Sequence, residues 1–232
     1  GPGAAAREIL SESREIWADS LGCSPDRLVF TSGGTEGNNL VLQHLLYYKQ
    51  PPHAVMTAIE HASLYEPLIR FGEFGLETSL ISPDTAGFVS PETVVSGMNE
   101  KTKFVTVIAV HNETGAVQPL EQIIAAVREK ESEQKRRIHI HIDAVQALGK
   151  VPFTLKGLDI DSAVFSAHKI GGPKGSGVLY LKQPVRTLLG GGEQESGIRP
   201  GTENTGAVYA SALAVRKACG ALGEHYTRAR YL

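Results

Sequence analysis

The segment from Lys103 to Val110 constrains the fold most, because it is nearly continuous in apolar and β-branched residues. Such a run is typical of a strand that is buried on both faces of a parallel sheet. Shorter apolar runs recur along the chain, and several are followed by a polar turn and a helical pattern. This repetition predicts an α/β fold with a doubly wound, mainly parallel sheet flanked by helices. The runs expected as strands are 28–31, 54–58, 76–81, 103–110, 138–143, 162–165 and 177–181, the last antiparallel or at the sheet margin.

The composition is that of an ordinary globular protein. The chain has 232 residues, of which 41% are hydrophobic and 21% charged, and its formal net charge is −2. Such a neutral chain does not indicate a nucleic-acid partner, and no apolar run reaches the roughly 18 residues of a membrane span. The N-terminus shows no secretory signal, and Cys23 and Cys219 make neither a disulfide framework nor a zinc cluster. We therefore expect a cytoplasmic location, or an organelle matrix.

Lys169 lies just after the run 162–165, with Ser166 and His168 beside it and glycines behind it. A lysine at the end of such a strand can form a Schiff base with a carbonyl compound while its neighbours bind an anion. This arrangement is typical of a lysine that carries pyridoxal phosphate. Taken alone, the segment is more typical of a solvated loop between two strands.

Asp143 closes a run in which isoleucine alternates with histidine. The alternation places the isoleucines on one face of a strand and His139, His141 and Asp143 on the other. A carboxylate at the C-terminal end of that strand can keep a pyridine nitrogen protonated, which makes the ring an electron sink. The same three side chains have the spacing of a metal site, as in a metal hydrolase, and a purely structural face is a third interpretation.

A glycine-rich turn, 32–39, opens the helix that follows the first strand. Backbone N–H groups at a helix N-terminus bind phosphate, which favours a phosphate at Gly34 and Thr35. A simple N-cap by Ser32 or Thr35 is the alternative.

Two polar residues follow other predicted strands. His61 comes after the run 54–58, and Asn112 comes after the run 103–110. On residue type alone, His61 is typical of a packed or capping histidine and Asn112 of an Asx-turn.

Three motifs occur in order along the chain: Asp-Ala-Val-Gln at 143–146, Ser-Ala-His-Lys at 166–169 and Arg-Pro-Gly-Thr-Glu-Asn at 199–204. This series resembles that of the class V aminotransferase group, and specifically that of the cysteine desulfurases and selenocysteine lyases. The resemblance covers nearly the whole chain, from the first helix to about Ala214. It implies the large domain of a fold-type-I enzyme that uses pyridoxal 5'-phosphate as its cofactor.

The resemblance also implies a role for each matching residue. Lys169 would hold the cofactor covalently, Lys169 or His61 would shuttle the substrate's α-proton, and His61 would stack on the ring. Asp143 would pair with the ring nitrogen, and Asn112 and Gln146 would bind the phenolic oxygen. The residues implied to bind the cofactor are Gly34, Thr35, His61, Asn112, Asp143, Gln146, Ser166, His168, Lys169 and Thr202, with no metal.

The implied function is a cysteine desulfurase, which converts L-cysteine to L-alanine and keeps the sulfur as an enzyme persulfide for iron–sulfur clusters or thio-cofactors. A selenocysteine lyase acting on L-selenocysteine is the runner-up, and a catalytically incomplete interaction module is a third reading. The implied partners are a second copy of the chain, whose Thr202 would reach the phosphate of the first, and a sulfur-acceptor or scaffold protein.

Residues 1–215 are expected to form the large domain, incomplete at its N-terminus, and residues 216–232 to begin a helix toward an absent C-terminal small domain. Neither Cys23 nor Cys219 matches the context of the family's sulfur-accepting cysteine, so we expect that cysteine outside this chain. Glu193 stands where many members have a glycine, a departure within the polar loop that carries Arg199.

Overall fold

The computed structural model describes residues 1–223 and 226. Every predicted strand is present there, with ends within two residues of the expected ones. The helices of the described part are Pro2–Leu21 (α1), Gly34–Gln43 (α2), Ala62–Arg70 (α3), Pro91–Ser96 (α4), Leu120–Gln134 (α5) and Thr205–Gly220 (α6). Its strands are Leu28–Thr31 (β1), His53–Thr57 (β2), Glu77–Ile81 (β3), Thr102–Ile108 (β4), His139–Asp143 (β5), Ser162–Ser166 (β6) and Gly177–Leu181 (β7).

The seven strands form one sheet in the order β1-β7-β6-β5-β4-β2-β3. Strands β2 to β6 pair in parallel, and β7 is antiparallel to both of its neighbours. The predicted mainly parallel sheet is therefore confirmed. The antiparallel direction of β7 is also as expected, but β7 lies inside the sheet and β1 forms the edge. A short connection of residues 167–176 joins β6 to β7, and short connections favour antiparallel neighbours.

Helices cover both faces of the sheet. One apolar layer joins α1, α4, α5 and α6 to the sheet, and a second joins α2 and α3 to the opposite face. In β5 the alternation works as predicted, since Ile140 and Ile142 enter the first layer while His141 and Asp143 face the second. The doubly wound arrangement brings α2 over the carboxylate of Asp143.

Helix α6 packs along α1, where Trp17 Nε1 donates a hydrogen bond to Ser211 Oγ at 3.0 Å. The predicted domain boundary at residue 215 falls inside this continuous helix. Of the predicted segment 216–232, residues 224, 225 and 227–232 lie outside the described part of the chain. None of the helices described here is long and apolar enough to cross a membrane.

Candidate active site

A cleft of about 200 Å³ opens where β4, β5 and β6 end. The parallel strands point the same way, so the residues at their carboxyl ends meet at one edge of the sheet. The cleft is lined by Gly34, Thr35, His61, Ser63, Ile108, Asn112, Asp143, Val145, Gln146, Ser166, His168 and Lys169. Every predicted cofactor-binding residue except Thr202 is therefore in one place.

Asp143 lies at the base of the cleft and is only 3% exposed. Its Oδ1 accepts a hydrogen bond from the backbone N–H of Val145 at 3.1 Å, and its Oδ2 accepts one from Asn38 Nδ2, also at 3.1 Å. Burial raises the pKa of Asp143 above its usual range, although these two hydrogen bonds and the charge of His61 oppose the shift. A cation placed against this carboxylate would compensate for its burial, because opposite charge favours the ionised form.

His139 and His141 do not line the cleft. Both rings bond to Ser162 Oγ, through Nε2 of His139 and Nδ1 of His141 at 2.7 Å each, and His141 Nε2 bonds to Asn38 Oδ1 at 2.8 Å. Burial lowers the pKa of His139 to about 4 and that of His141 to about 3, so both are neutral near pH 7. These contacts support the structural interpretation of the two histidines. Within residues 1–223 and 226, no group of three or more His, Cys, Asp or Glu side chains is arranged to hold a metal ion.

The N-terminus of α2 forms another side of the cleft. The N-cap of this ten-residue helix is Gly33, and no side chain caps it, so the alternative of a cap by Ser32 or Thr35 is wrong. A Cβ added to Gly34 would lie 2.8 Å from Val145 Cγ2, which explains why this approach requires glycine. The uncapped first turn presents N–H groups and the positive end of the helix dipole, as an anion site does.

Lys169 lies on the short 3-10 turn Ala167–Ile170 that follows β6, and its side chain is exposed. Beside it, Ser166 Oγ and His168 Nδ1 are hydrogen-bonded at 2.8 Å. Lys150, which the sequence analysis overlooked, donates a hydrogen bond to Gln146 Oε1. Burial lowers the pKa of Lys150, and the positive charge of Lys169 lowers it further. The cleft therefore combines the amine of Lys169 with the uncapped N-terminus of α2, and Lys150 contacts it through Gln146.

His61 is the N-cap of α3, and its Nδ1 accepts a hydrogen bond from the backbone N–H of Ser63 at 3.1 Å. The capping interpretation from residue type is thus confirmed, and the same ring also lines the cleft. Asn112 lies on the exposed rim.

Glu60 is a further residue that the sequence analysis overlooked. Its Oε1 accepts a hydrogen bond from Thr57 Oγ1 at 2.7 Å, whereas its Oε2 is fully buried and has no hydrogen-bond partner. Burial raises the pKa of Glu60 from an ordinary 4.5 to about 8, and the negative charge of Asp143 adds to this shift. The only signal in the sequence is a carboxylate between a strand end and His61.

Thr202 is exposed and lies in a separate depression with Arg199. The loop that carries both residues is anchored by Glu195, whose carboxylate pairs with Arg14 at 2.6 Å and accepts the N–H of Phe30 at 2.7 Å. Glu195 and Ser196 adopt positive φ angles of 47° and 58°. Arg199 in turn donates to Glu36 in the first turn of α2 at 3.0 Å. The loop therefore has specific contacts with α1, β1 and α2.

Known proteins are similar to this chain in fold and in sequence. The model of the family described as aminotransferase class-V matches residues 2–225. A NifS/IcsS protein homolog from Lactobacillus delbrueckii subsp. bulgaricus is 36% identical over 219 residues, covering 91% of this chain and 55% of the relative. The cysteine desulfurase IscS of Dictyoglomus turgidum is 31% identical over 220 residues, covering 93% of this chain and 54% of the relative.

Solved structures of other proteins are similar to this chain in fold. A NifS-like protein superposes with a TM-score of 0.92 at 36% identity, covering 97% of this chain and 61% of that one. The protein SspA in complex with cysteine gives a TM-score of 0.85 at 31% identity, covering 92% of this chain and 61% of that one.

The fold and the cleft thus define an α/β protein with a lysine and a carboxylate facing one cavity. The chain belongs to the class V aminotransferase family, and it resembles the cysteine desulfurases within that family. It spans about half the length of the curated relatives that it matches.

The cofactor that the sequence resemblance implies fits the residues present. Asp143 offers a buried carboxylate for a cationic ring nitrogen, Lys169 offers an amine, and the uncapped turn at Gly34 offers N–H donors for a phosphate. The donor set therefore matches the ring nitrogen, the aldehyde and the phosphate of pyridoxal phosphate.

Proposed function

We propose that this chain is the cofactor-binding part of a cysteine desulfurase. The observation that carries the proposal is the convergence of Lys169, Asp143 and the uncapped end of α2 on one cleft. The names of the relatives favour L-cysteine as substrate over L-selenocysteine, the runner-up from the sequence.

When bound, pyridoxal phosphate supplies the electron sink for the charge left by removal of the substrate's α-proton. Lys169 Nζ would hold the cofactor, and Lys169 or His61 would take and return that proton. Asp143 would keep a proton on the ring nitrogen, because its buried carboxylate is stabilised by the positive charge. His61 would also stack on the ring.

The remaining residues orient the cofactor. The N–H groups at Gly34 and Thr35, with Ser166 and His168, hold the phosphate at the positive end of α2. Two further side chains, Asn112 and Gln146, hold the phenolic oxygen. Thr202 completes the phosphate site of a second copy of the chain, which makes the proposed unit a homodimer.

Sulfur passes from L-cysteine to an acceptor thiol, which becomes a persulfide, and L-alanine is released. Burial raises the pKa of Cys23 to about 11 and also raises the pKa of Cys219, so both remain thiols near pH 7. Neither cysteine lines the cleft. We therefore assign the acceptor to another cysteine, and propose that a sulfur-receiving protein takes the sulfur from it.

The proposed location is cytoplasmic or an organelle matrix. The curated relative from Eremothecium gossypii, which is named a mitochondrial cysteine desulfurase, gives support for the second setting.

The test compares Asp143→Asn with Asp19→Asn, an exposed aspartate on α1. Both variants should bind added pyridoxal phosphate, seen by absorbance after gel filtration. Only Asp143→Asn should lose exchange of the α-proton of an amino acid for deuterium, by about 100-fold or more, the usual contribution of a positioned charge. The proposal is wrong if the parent chain binds no cofactor, or if Asp143→Asn exchanges at the parent's rate.

A further inference from the structure

Asn38 lies at the centre of a buried polar network beneath the cleft. It belongs to α2, and its side chain is fully buried. Its amide Nδ2 donates to Ser63 Oγ at 2.8 Å and to Asp143 Oδ2 at 3.1 Å, while its Oδ1 bonds to His141 Nε2 at 2.8 Å. Both hydrogens and the oxygen of this amide are therefore used, and its partners come from two elements, Ser63 from α3 and the other two from β5.

The direction of each hydrogen bond follows from the donors that are available. A neutral His141 must carry its hydrogen on Nε2 to donate to Asn38 Oδ1, and its Nδ1 then accepts from Ser162 Oγ at 2.7 Å. Burial, which lowers the pKa of His141 to about 3, keeps this ring neutral. Reversing the amide would place Asn38 Oδ1 against the carboxylate of Asp143, where two acceptors would face each other. Asp143 therefore fixes the orientation of the amide.

The series of hydrogen bonds continues from Asn38 through Ser63 to His61. Because Ser63 Oγ accepts from Asn38, its own hydrogen is free to go to His61 Nδ1, which is 2.8 Å away. The backbone N–H of Ser63 points at the same ring nitrogen, at 3.1 Å. Nδ1 thus receives two donors and cannot carry a hydrogen itself in the neutral ring. The hydrogen must be on Nε2, the nitrogen that these bonds leave free.

We propose that Asn38 is a positioning residue that couples Asp143 to His61: it holds the carboxylate and, through Ser63, fixes His61 as the tautomer with its hydrogen on Nε2. The tautomer can be measured without any cofactor. Its use in proton transfer rests on the proposed function, in which His61 handles a substrate proton. Fixing the tautomer in advance means that the same nitrogen is always presented to the reaction.

The experiment is nitrogen-15 NMR of the histidine rings in the whole chain without cofactor, at about pH 8, where an ordinary histidine is neutral. The His61 signals are assigned by their loss in His61→Gln. In the parent, the His61 tautomer with its hydrogen on Nε2 should outnumber the tautomer with its hydrogen on Nδ1 by about tenfold or more, which is the ratio that one ordinary hydrogen bond sets. An equal mixture, or a hydrogen on Nδ1, would overturn the proposal.

Two variants probe the coupling. In Ser63→Ala the hydroxyl is lost, and in Asn38→Asp the new acceptor draws the hydroxyl hydrogen of Ser63 away from His61. The backbone N–H of Ser63 still donates to Nδ1 in both variants, so the excess of the Nε2–H tautomer should fall without reversing. The control is Gln43→Ala on the same helix, since Gln43 accepts a hydrogen bond from the backbone N–H of Leu188, away from this network; it should leave the tautomer unchanged.

Asn38→Asp places a second carboxylate in a buried site and is therefore the harder variant to fold. If it does not fold, Ser63→Ala alone tests the coupling. A folded Ser63→Ala with an unchanged tautomer ratio overturns the role of the hydroxyl. If the chain binds no pyridoxal phosphate but the tautomers behave as expected, the proposed function falls and the assignment of Asn38 stands.

Discussion

Glu60→Gln should remove a pH dependence from the stability of the fold. The carboxyl of Glu60 has its pKa raised by burial to about 8, against 4.5 for an ordinary glutamate. When folding raises the pKa of a carboxyl, its contribution to stability is fully present at a pH below the pKa of the unfolded chain. That contribution is lost as the pH rises through the pKa of the folded chain. Glutamine keeps an oxygen for the hydroxyl of Thr57 and never ionises.

The two pKa values set the size of the effect. Each pKa unit corresponds to about 1.4 kcal/mol, so the full difference has an upper limit of about 5 kcal/mol. The free energy of unfolding of Glu60→Gln, relative to the parent, should rise by about 1 kcal/mol at pH 5 and by about 4 kcal/mol at pH 8. The charge of Asp143 is coupled to that of Glu60, whereas the more distant groups titrate alike in both proteins, so the difference reports Glu60 together with this coupling.

The assay is urea unfolding of the cofactor-free chain from about pH 5 to about pH 8, with free energies from linear extrapolation. Glu66→Gln on the exposed side of α3 is the matched control, and it should follow the parent at each pH. A constant difference between Glu60→Gln and the parent across this range would refute the buried carboxyl as the cause.

Four further substitutions test other parts of the structure. Glu195→Ala leaves Arg14 without its buried partner and should lower the free energy of unfolding by about 3 kcal/mol, measured in urea; a loss below about 1 kcal/mol would contradict the anchoring role. Gly34→Ala forces a Cβ to within 2.8 Å of the Val145 side chain and should weaken pyridoxal-phosphate binding about tenfold or more in a titration, and unchanged affinity would argue against the helix-end site. Cys23→Ser and Cys219→Ser should each leave cofactor binding unchanged, and the 232-residue chain should release no sulfide from L-cysteine. If the chain did release sulfide and either substitution abolished that release, the sulfur-accepting cysteine would lie in this chain.

The strands were predictable because their patterns are local. Alternation in 138–143 separates isoleucines from polar residues, and this is enough to place Asp143 on the face opposite the isoleucines. The meeting of Asp143 with Lys169 was also predictable, since parallel strands end at a common edge. The roles given to these residues stay predictions.

The partners of these residues were not predictable from the sequence. Asn38 reaches Asp143 across 105 positions of the chain, and no local pattern distinguishes it from its neighbour Asn39. The burial of Glu60 depends on how the ends of the strands pack around its Oε2. The place of β7 inside the sheet depends on which strand pairs with β1, a long-range choice. Pairings of this kind follow from tertiary packing and not from residue periodicity.

The central claim is that Lys169 holds the cofactor, and borohydride reduction tests it most directly. The chain is incubated with pyridoxal phosphate, reduced, digested and analysed by peptide mass spectrometry. We expect one reduced adduct, on Lys169, which Lys169→Ala abolishes and Lys174→Ala, at an exposed lysine five positions on, retains. An adduct on Lys150 or Lys174 instead, or none after loading, would contradict the account.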